Sequence, residues 1–123
     1  MTERAGLLVR AGGELGFVPA TTARAVVRLP PISPVASTPL GMALVNGRVV
    51  PVVALGSPTN VLVLCELDDE PVGFSGLDVS EVGVFAATER GVIVGEHAVP
   101  ELDLLGAWRS LDLALEPQWG DPA

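Results

Sequence analysis

Few residues in this chain have the chemistry of a catalytic or metal site. His97 is the single histidine, in GEHAVPE with Glu96 and Glu101 beside it, and Cys65 is the single cysteine, inside the apolar run VLVLC. A general base or a zinc ligand could start from His97, but zinc takes three or four ligands and the lone thiol is far away in sequence. His97 therefore reads as an exposed loop residue and Cys65 as a buried, reduced thiol. ELDDE (66–70) places four carboxylates within five positions, a composition that suits hard cations. It lacks the alternating ligand spacing and central glycine of a calcium loop, and reads as a solvated hairpin turn. Asp78, Ser80 and Glu81 have no histidine near them and no G-x-S-x-G elbow. RAGGELG and ERGVIVG match neither a phosphate loop nor a dinucleotide fingerprint, and the chain has no lysine to serve a P-loop. These readings assign no catalytic residue, no metal and no cofactor, and they leave a protein whose information lies in its surfaces.

The elements that carry such surfaces must be short. A chain of 123 residues with 49% hydrophobic and 18% charged residues fits one domain with one core, while 14 Gly and 11 Pro cut it into small pieces. The formal charge of -8 opposes contact with phosphate backbones and anionic lipid, so nucleic acid is not expected as a partner. The start, MTERAGLLVRAGGE, has only a four-residue apolar patch and lacks the core of a signal peptide, and no apolar stretch approaches the roughly 20 residues of a membrane span. No membrane insertion is expected, and the expected compartment is the cytoplasm.

Strand signals dominate. GLLVR (6–10) and ELGFVPA (14–20) flank the turn at Gly12 and Gly13. In TTARAVVRLPP, Ala and Arg suit a helical turn before Val26 and Val27 favour extended chain. LPPISPVASTPLG, with four prolines, is expected to run as an irregular connection. MALV, Asn46-Gly47 and RVVPVVAL form the strongest hairpin signal, because both turn residues tolerate positive φ. Pro51 implies a bulge or an edge there. NVLVLCEL, DDE and PVGFSGLD predict a further hairpin, and SEVGVFAAT and GVIVG two more runs. A helix is expected only in DLLGAWRSLDLAL, where Leu104, Leu105, Trp108 and Leu111 recur at three- and four-residue spacings. Residues 1–115 read as the single domain and 116–123 as a loose tail in which Trp119 is the one residue suited to docking.

Seven or eight short strands with almost no helix predict an all-β, closed or nearly closed architecture. Runs such as VVPVV and VLVL are apolar on both faces, so both faces should be covered, which favours two small barrels packed together. NGRVVPVVALG is then expected to be interior.

At these residues the chain resembles a known family. FVPATTARAVVRLPPISPV (17–35) and GMALVNGRVVPVVALG (41–56) are similar to two segments of the CheW-like coupling domains, the second matching at Gly41, Gly47, Arg48, Val49, Val50, Pro51, Val52, Val53 and Leu55. CELDDEPVGFSGLDVSEV and HAVPELDLLGAWRSL resemble later parts of the family more loosely. The resemblance implies two SH3-like five-stranded β-barrels around a shared core, with one short C-terminal helix and no catalysis. It also implies an adaptor joining the cytoplasmic tip of a methyl-accepting chemoreceptor to the regulatory domain of a CheA-type histidine kinase, in receptor arrays. By the same resemblance, a receptor groove would be lined by Leu7, Ala20, Ala23, Val26 and Val84, and the kinase would meet the turn of Asn46, Gly47 and Arg48. Four polar positions of the family pattern are replaced here by Leu44, Asn46, Ala54 and Gly56, and Ala20 and Ala23 stand where larger aliphatic residues are usual. At least one of the two contacts is therefore expected to be weak. A structural or self-associating barrel with another protein partner is the alternative.

Overall fold

The structure is a computed structural model that describes residues 2–111; the tail at 116–123 and Trp119 lie outside the described residues. Among the described residues, eleven strands stand in place of the seven or eight expected. They are β1 (Glu3–Ala11), β2 (Glu14–Pro19), β3 (Ala23–Arg28), β4 (Ile32–Pro34), β5 (Leu40–Val45), β6 (Arg48–Ala54), β7 (Val61–Leu67), β8 (Glu70–Ser75), β9 (Leu77–Ala87), β10 (Gly91–Val94) and β11 (His97–Pro100). A helix, α1, occupies 104–111.

The first sheet has the order β11-β10-β9-β1-β2. Its edges meet: Phe17 of β2 bridges Glu101 in parallel, and the Leu102 N–H donates to the Phe17 carbonyl at 2.9 Å. The closing seam is held by Arg4, whose guanidinium lies 5.0 Å from the centre of the Phe17 ring and pairs with Glu101 at 2.7 Å. Inside, Phe85 meets Phe17 edge to face at 6.2 Å.

The second sheet has the order β3-β7-β8-β6-β5-β4. Its two outer strands are joined only by Leu29, Pro30 and Pro31, so one bent stretch supplies both edges of the sheet. Counted this way it too is a five-stranded barrel. The expected helical turn at Ala23 and Arg24 is absent, because β3 already pairs at Ala23↔Cys65 with an irregularity before Ala25. The proline-rich stretch, expected as an ordered irregular loop, holds a short strand. Ile32–Pro34 pairs with β5 as a three-residue edge strand, a place where a missing N–H costs nothing.

Pro51 makes no bulge with β5 and lies in an inner strand, at a point where the β8 side is not yet paired. Val45↔Arg48 closes the two-residue turn, so by the antiparallel alternation Met42↔Pro51 is a non-hydrogen-bonded pair and the proline nitrogen faces away from β5. On that side β8 begins to pair only at Val52↔Gly73.

The alternation of side chains explains the two-faced apolar runs. In β7, Leu62 faces the interior of the second barrel with Val45, Val50 and Val52, while Val63 and Cys65 face a central cluster. That cluster takes Leu7, Val9 and Val18 from the first barrel, Val53, Val72 and Phe74 from the second, and Leu104 of α1. Leu8, between Leu7 and Val9, points into the first barrel instead. The chain passes between barrels at residues 20–22 and at Gly76. The second crossing needs glycine: its φ is +85°, and a Cβ there would stand 2.5 Å from the Gly56 nitrogen.

Candidate functional site

Val82 faces outward from β9 opposite Leu7, and Val84 outward opposite Ala5. Across from them, the 20–22 crossing and the start of β3 present Ala20, Ala23 and Val26. Together they bound a groove of about 430 Å³ between the two barrels, and all five residues suggested by the resemblance line it: Leu7, Ala20, Ala23, Val26 and Val84. They do not contribute equally. Leu7 is 8% exposed and belongs to the central core, whereas Val84 is 60% and Val26 39% exposed. The most exposed wall residue, Val82 at 68%, was not among the candidates, although its spacing of two from Val84 in a strand places both on one face. Among the described residues the only charged side chain in the lining is Arg24, and its Nε is held by Glu66 at 3.0 Å. The groove is therefore essentially apolar.

The Asn46–Arg48 turn lies elsewhere on the second barrel. Asn46 (φ 50°) and Gly47 (φ 79°) adopt the left-handed conformations of a two-residue hairpin turn, and Asn46, Gly47 and Arg48 are all exposed. Beside them a hollow of about 320 Å³ opens at the barrel's end, lined by Arg24, Arg48, Val50, Leu64 and Asp69. Arg24 thus borders both surfaces.

The expectation that NGRVVPVVALG is interior holds only in part. Val50, Val52 and Val53 are buried, but Val49 is 65% exposed and stands opposite Leu44, also 65% exposed, with Met42 in the next outward pair. The hairpin row that reaches the central cluster at Leu40 and Val53 is covered by the first barrel and α1; its turn end runs past that cover.

His97 begins β11 opposite Val94 and is exposed, in a strand rather than a loop. Cys65 is buried in the other sheet, where desolvation pushes its thiol up to about 12. Asp68 and Asp69 form the β7–β8 turn, both at positive φ. Four carboxylates surround a hollow of about 300 Å³ beside the start of α1, and each has a partner. Glu66 pairs with Arg24, Asp68 with Arg109 and Glu101 with Arg4, while Asp103 Oδ1 accepts from the Gly106 N–H at 2.9 Å and caps α1.

Two small barrels share one core, and the chain crosses twice between them. No family model and no curated protein matches the sequence. Among solved structures, the crystal structure of the scaffolding protein TtCheW from Thermoanaerobacter tengcongensis matches with a TM-score of 0.58 and 18% sequence identity. The match covers 66% of this chain and 64% of that one, less than two thirds of its length. The chain has a CheW-like fold. Within that fold, the positions at which the chain differs from the family it resembles have physical addresses: Leu44 is on the exposed hairpin face, Asn46 in the turn, and Ala54 exposed at the end of β6.

Proposed function

We propose that this protein is a non-catalytic adaptor in a bacterial chemosensory or motility system, joining a chemoreceptor to a CheA-type histidine kinase by docking alone. The observation that carries the reading is the inter-barrel groove, an apolar trough in a CheW-like fold whose lining includes the five residues that the family resemblance singles out. Its exposed valines are unfavourable in water, and a partner helix laid along them would remove apolar area worth roughly 25 cal/mol per Å². The receptor tip is assigned to this groove and the kinase regulatory domain to the Asn46–Arg48 turn. Alanine at 20 and 23 leaves the groove shallow-sided, while Leu44 and Asn46 replace polar positions of the resembled pattern at the turn end and Ala54 one at the far end of β6, so at least one of the two contacts is a weak one. A membrane-associated array would be reached through the receptor, since no helix among the described residues is long and apolar enough to cross a membrane.

The direct test is to titrate the purified protein separately against a CheA regulatory domain and a receptor signalling fragment, by calorimetry. Binding to either is expected, and silence with both removes the coupling role. The exposed apolar row of Met42, Leu44 and Val49 favours a second reading, a barrel that associates with itself or with another protein through this hairpin. Light scattering after size exclusion separates the two, because a stable oligomer that Leu44→Ser dissolves belongs only to the second.

A further inference from the structure

The apolar lining does not end at the groove. Outward-facing rows of the first barrel run Leu7 to Val82, Ala5 to Val84, and then Glu3 to Ala86 to Ile93 to Ala98, carried from β1 across β9 and β10 to β11. Ile93 is 42% exposed, and with Val82 and Val84 it makes a stripe roughly 15 Å long at the spacing of strand residues. Alanines at 5, 86 and 98 keep the stripe low enough for a helix to lie close on it.

Charge says what kind of segment could cover it. Residues 2–20 and 76–103, the first barrel, hold eight carboxylates and three arginines, and one of these arginines, Arg4, is taken by Glu101. Residues 23–75, the second barrel, hold four carboxylates and three arginines. Glu3 is exposed within the stripe's own last row, and no basic residue stands in these rows; Arg24, across the groove from Val82 and Val84, is paired with Glu66. A second copy of this chain, at a formal -8, would be repelled, as would an anionic membrane.

We propose that the stripe from Val82 to Ile93 docks a basic amphipathic helix, one with an apolar ridge flanked by Lys or Arg. It rests on the groove reading in that the two share Val82 and Val84, while Glu3 and Ile93 lie outside the groove. The apolar ridge supplies burial, and the flanking cations answer Glu3 and the acidic barrel around it, raising the encounter rate in a salt-dependent way.

The probes are two synthetic helical peptides of about 18 residues with identical Leu positions, filled in otherwise with Lys in one and Glu in the other. Fluorescence anisotropy against the full chain, at about 20 and about 300 mM salt, is expected to find binding of the Lys peptide, weaker at high salt, and none of the Glu peptide. Ile93→Ser and Glu3→Gln should each weaken it roughly fivefold or more, with unchanged melting. Leu44→Ser, on the other barrel, should not. Equal binding of both peptides, no binding of either, or Lys-peptide binding indifferent to Ile93→Ser overturns the proposal. If a receptor fragment still binds and is lost with Ala23→Arg while Ile93→Ser has no effect on any probe, the groove reading stands and this one falls.

Discussion

Arg109 donates two hydrogen bonds to Asp68, from Nε to Oδ2 at 3.1 Å and from Nη2 to Oδ1 at 2.9 Å, and so ties the far end of α1 to the β7–β8 turn. The near end of the helix is fixed to the first barrel by the Leu102 bond to Phe17, so α1 straps the two barrels over their common core.

The strap has a defined pH range. The hydrogen bonds and charge of Arg109 hold the Asp68 carboxyl below its usual value of 3.8, so the tether is complete above that value and is lost as pH falls through the lowered one. Asp68→Asn keeps the left-handed preference of the turn position and removes the charge. Amide exchange in 104–111 should quicken roughly two- to fivefold at pH 7 in this variant. No difference from the parent protein is expected once the pH is below the range in which Asp68 ionises. An effect that persists there would assign the change to the turn instead.

Cys65 should govern the alkaline limit. Its thiol is held neutral by burial, with a value near 12 against about 9 when exposed, so ionisation in that window is available only to the unfolded chain. Stability is then full below pH 9 and falls as pH rises, by up to about 1.4 kcal/mol per pH unit. The chain has no lysine and no tyrosine to titrate in the same window. Urea midpoints between pH 8 and 11 should show this slope in the parent protein and not in Cys65→Ala, whose overall stability is lower from the vacated space. A slope of the same size in the variant would assign it elsewhere.

Much of this architecture was legible in the sequence, because its turns are chemically explicit. Asn46-Gly47, Gly12-Gly13 and the acidic pair at 68–69 fall between paired strands, and the alternation in VLVLC allots Leu62 to one core and Val63 to another. What was not legible depends on the cover each row receives. Val49 and Val53 look equivalent in RVVPVV, yet Val53 is buried at 5% and Val49 is 65% exposed, since the first barrel and α1 reach only one end of the hairpin. The same holds at the groove: Leu7 and Val82 are register partners, but one serves the core and the other the wall. Leu7 reaches the central cluster and Val82 lies beyond it, so the cover over the row decides which is which.

The Asn46–Arg48 turn sets stability against docking. A Cβ on Gly47 meets nothing within 4 Å, so Gly47→Ala is expected to cost about 1 kcal/mol through its φ of +79° alone, measured by thermal or urea unfolding. Asn46→Arg should cost about as much, because arginine lacks asparagine's tolerance of the left-handed region. Combined with Ala54→Asp it should nevertheless tighten binding to a CheA regulatory domain, by restoring polar positions of the family pattern. A loss of stability without any gain in affinity would separate this turn from kinase contact.

Opposite changes at the groove should have opposite effects on a receptor signalling fragment. Val82 and Val84 are more than half exposed, so Val82→Ser with Val84→Ser should leave folding within about 1 kcal/mol of the parent protein. The apolar wall is lost, however, and binding should fall roughly tenfold or more. Ala23 sits across the groove and is only partly buried, so Ala23→Val can extend into the open space. Two added methyl groups that become covered on docking contribute about 1.5 kcal/mol, an affinity gain of roughly tenfold. Residues that serve packing alone would behave differently: removing methyl groups would destabilise the fold, and adding them would strain it, with no gain in binding. Unchanged affinity in both variants, measured by titration calorimetry with melting points recorded beside it, would take the receptor away from this groove.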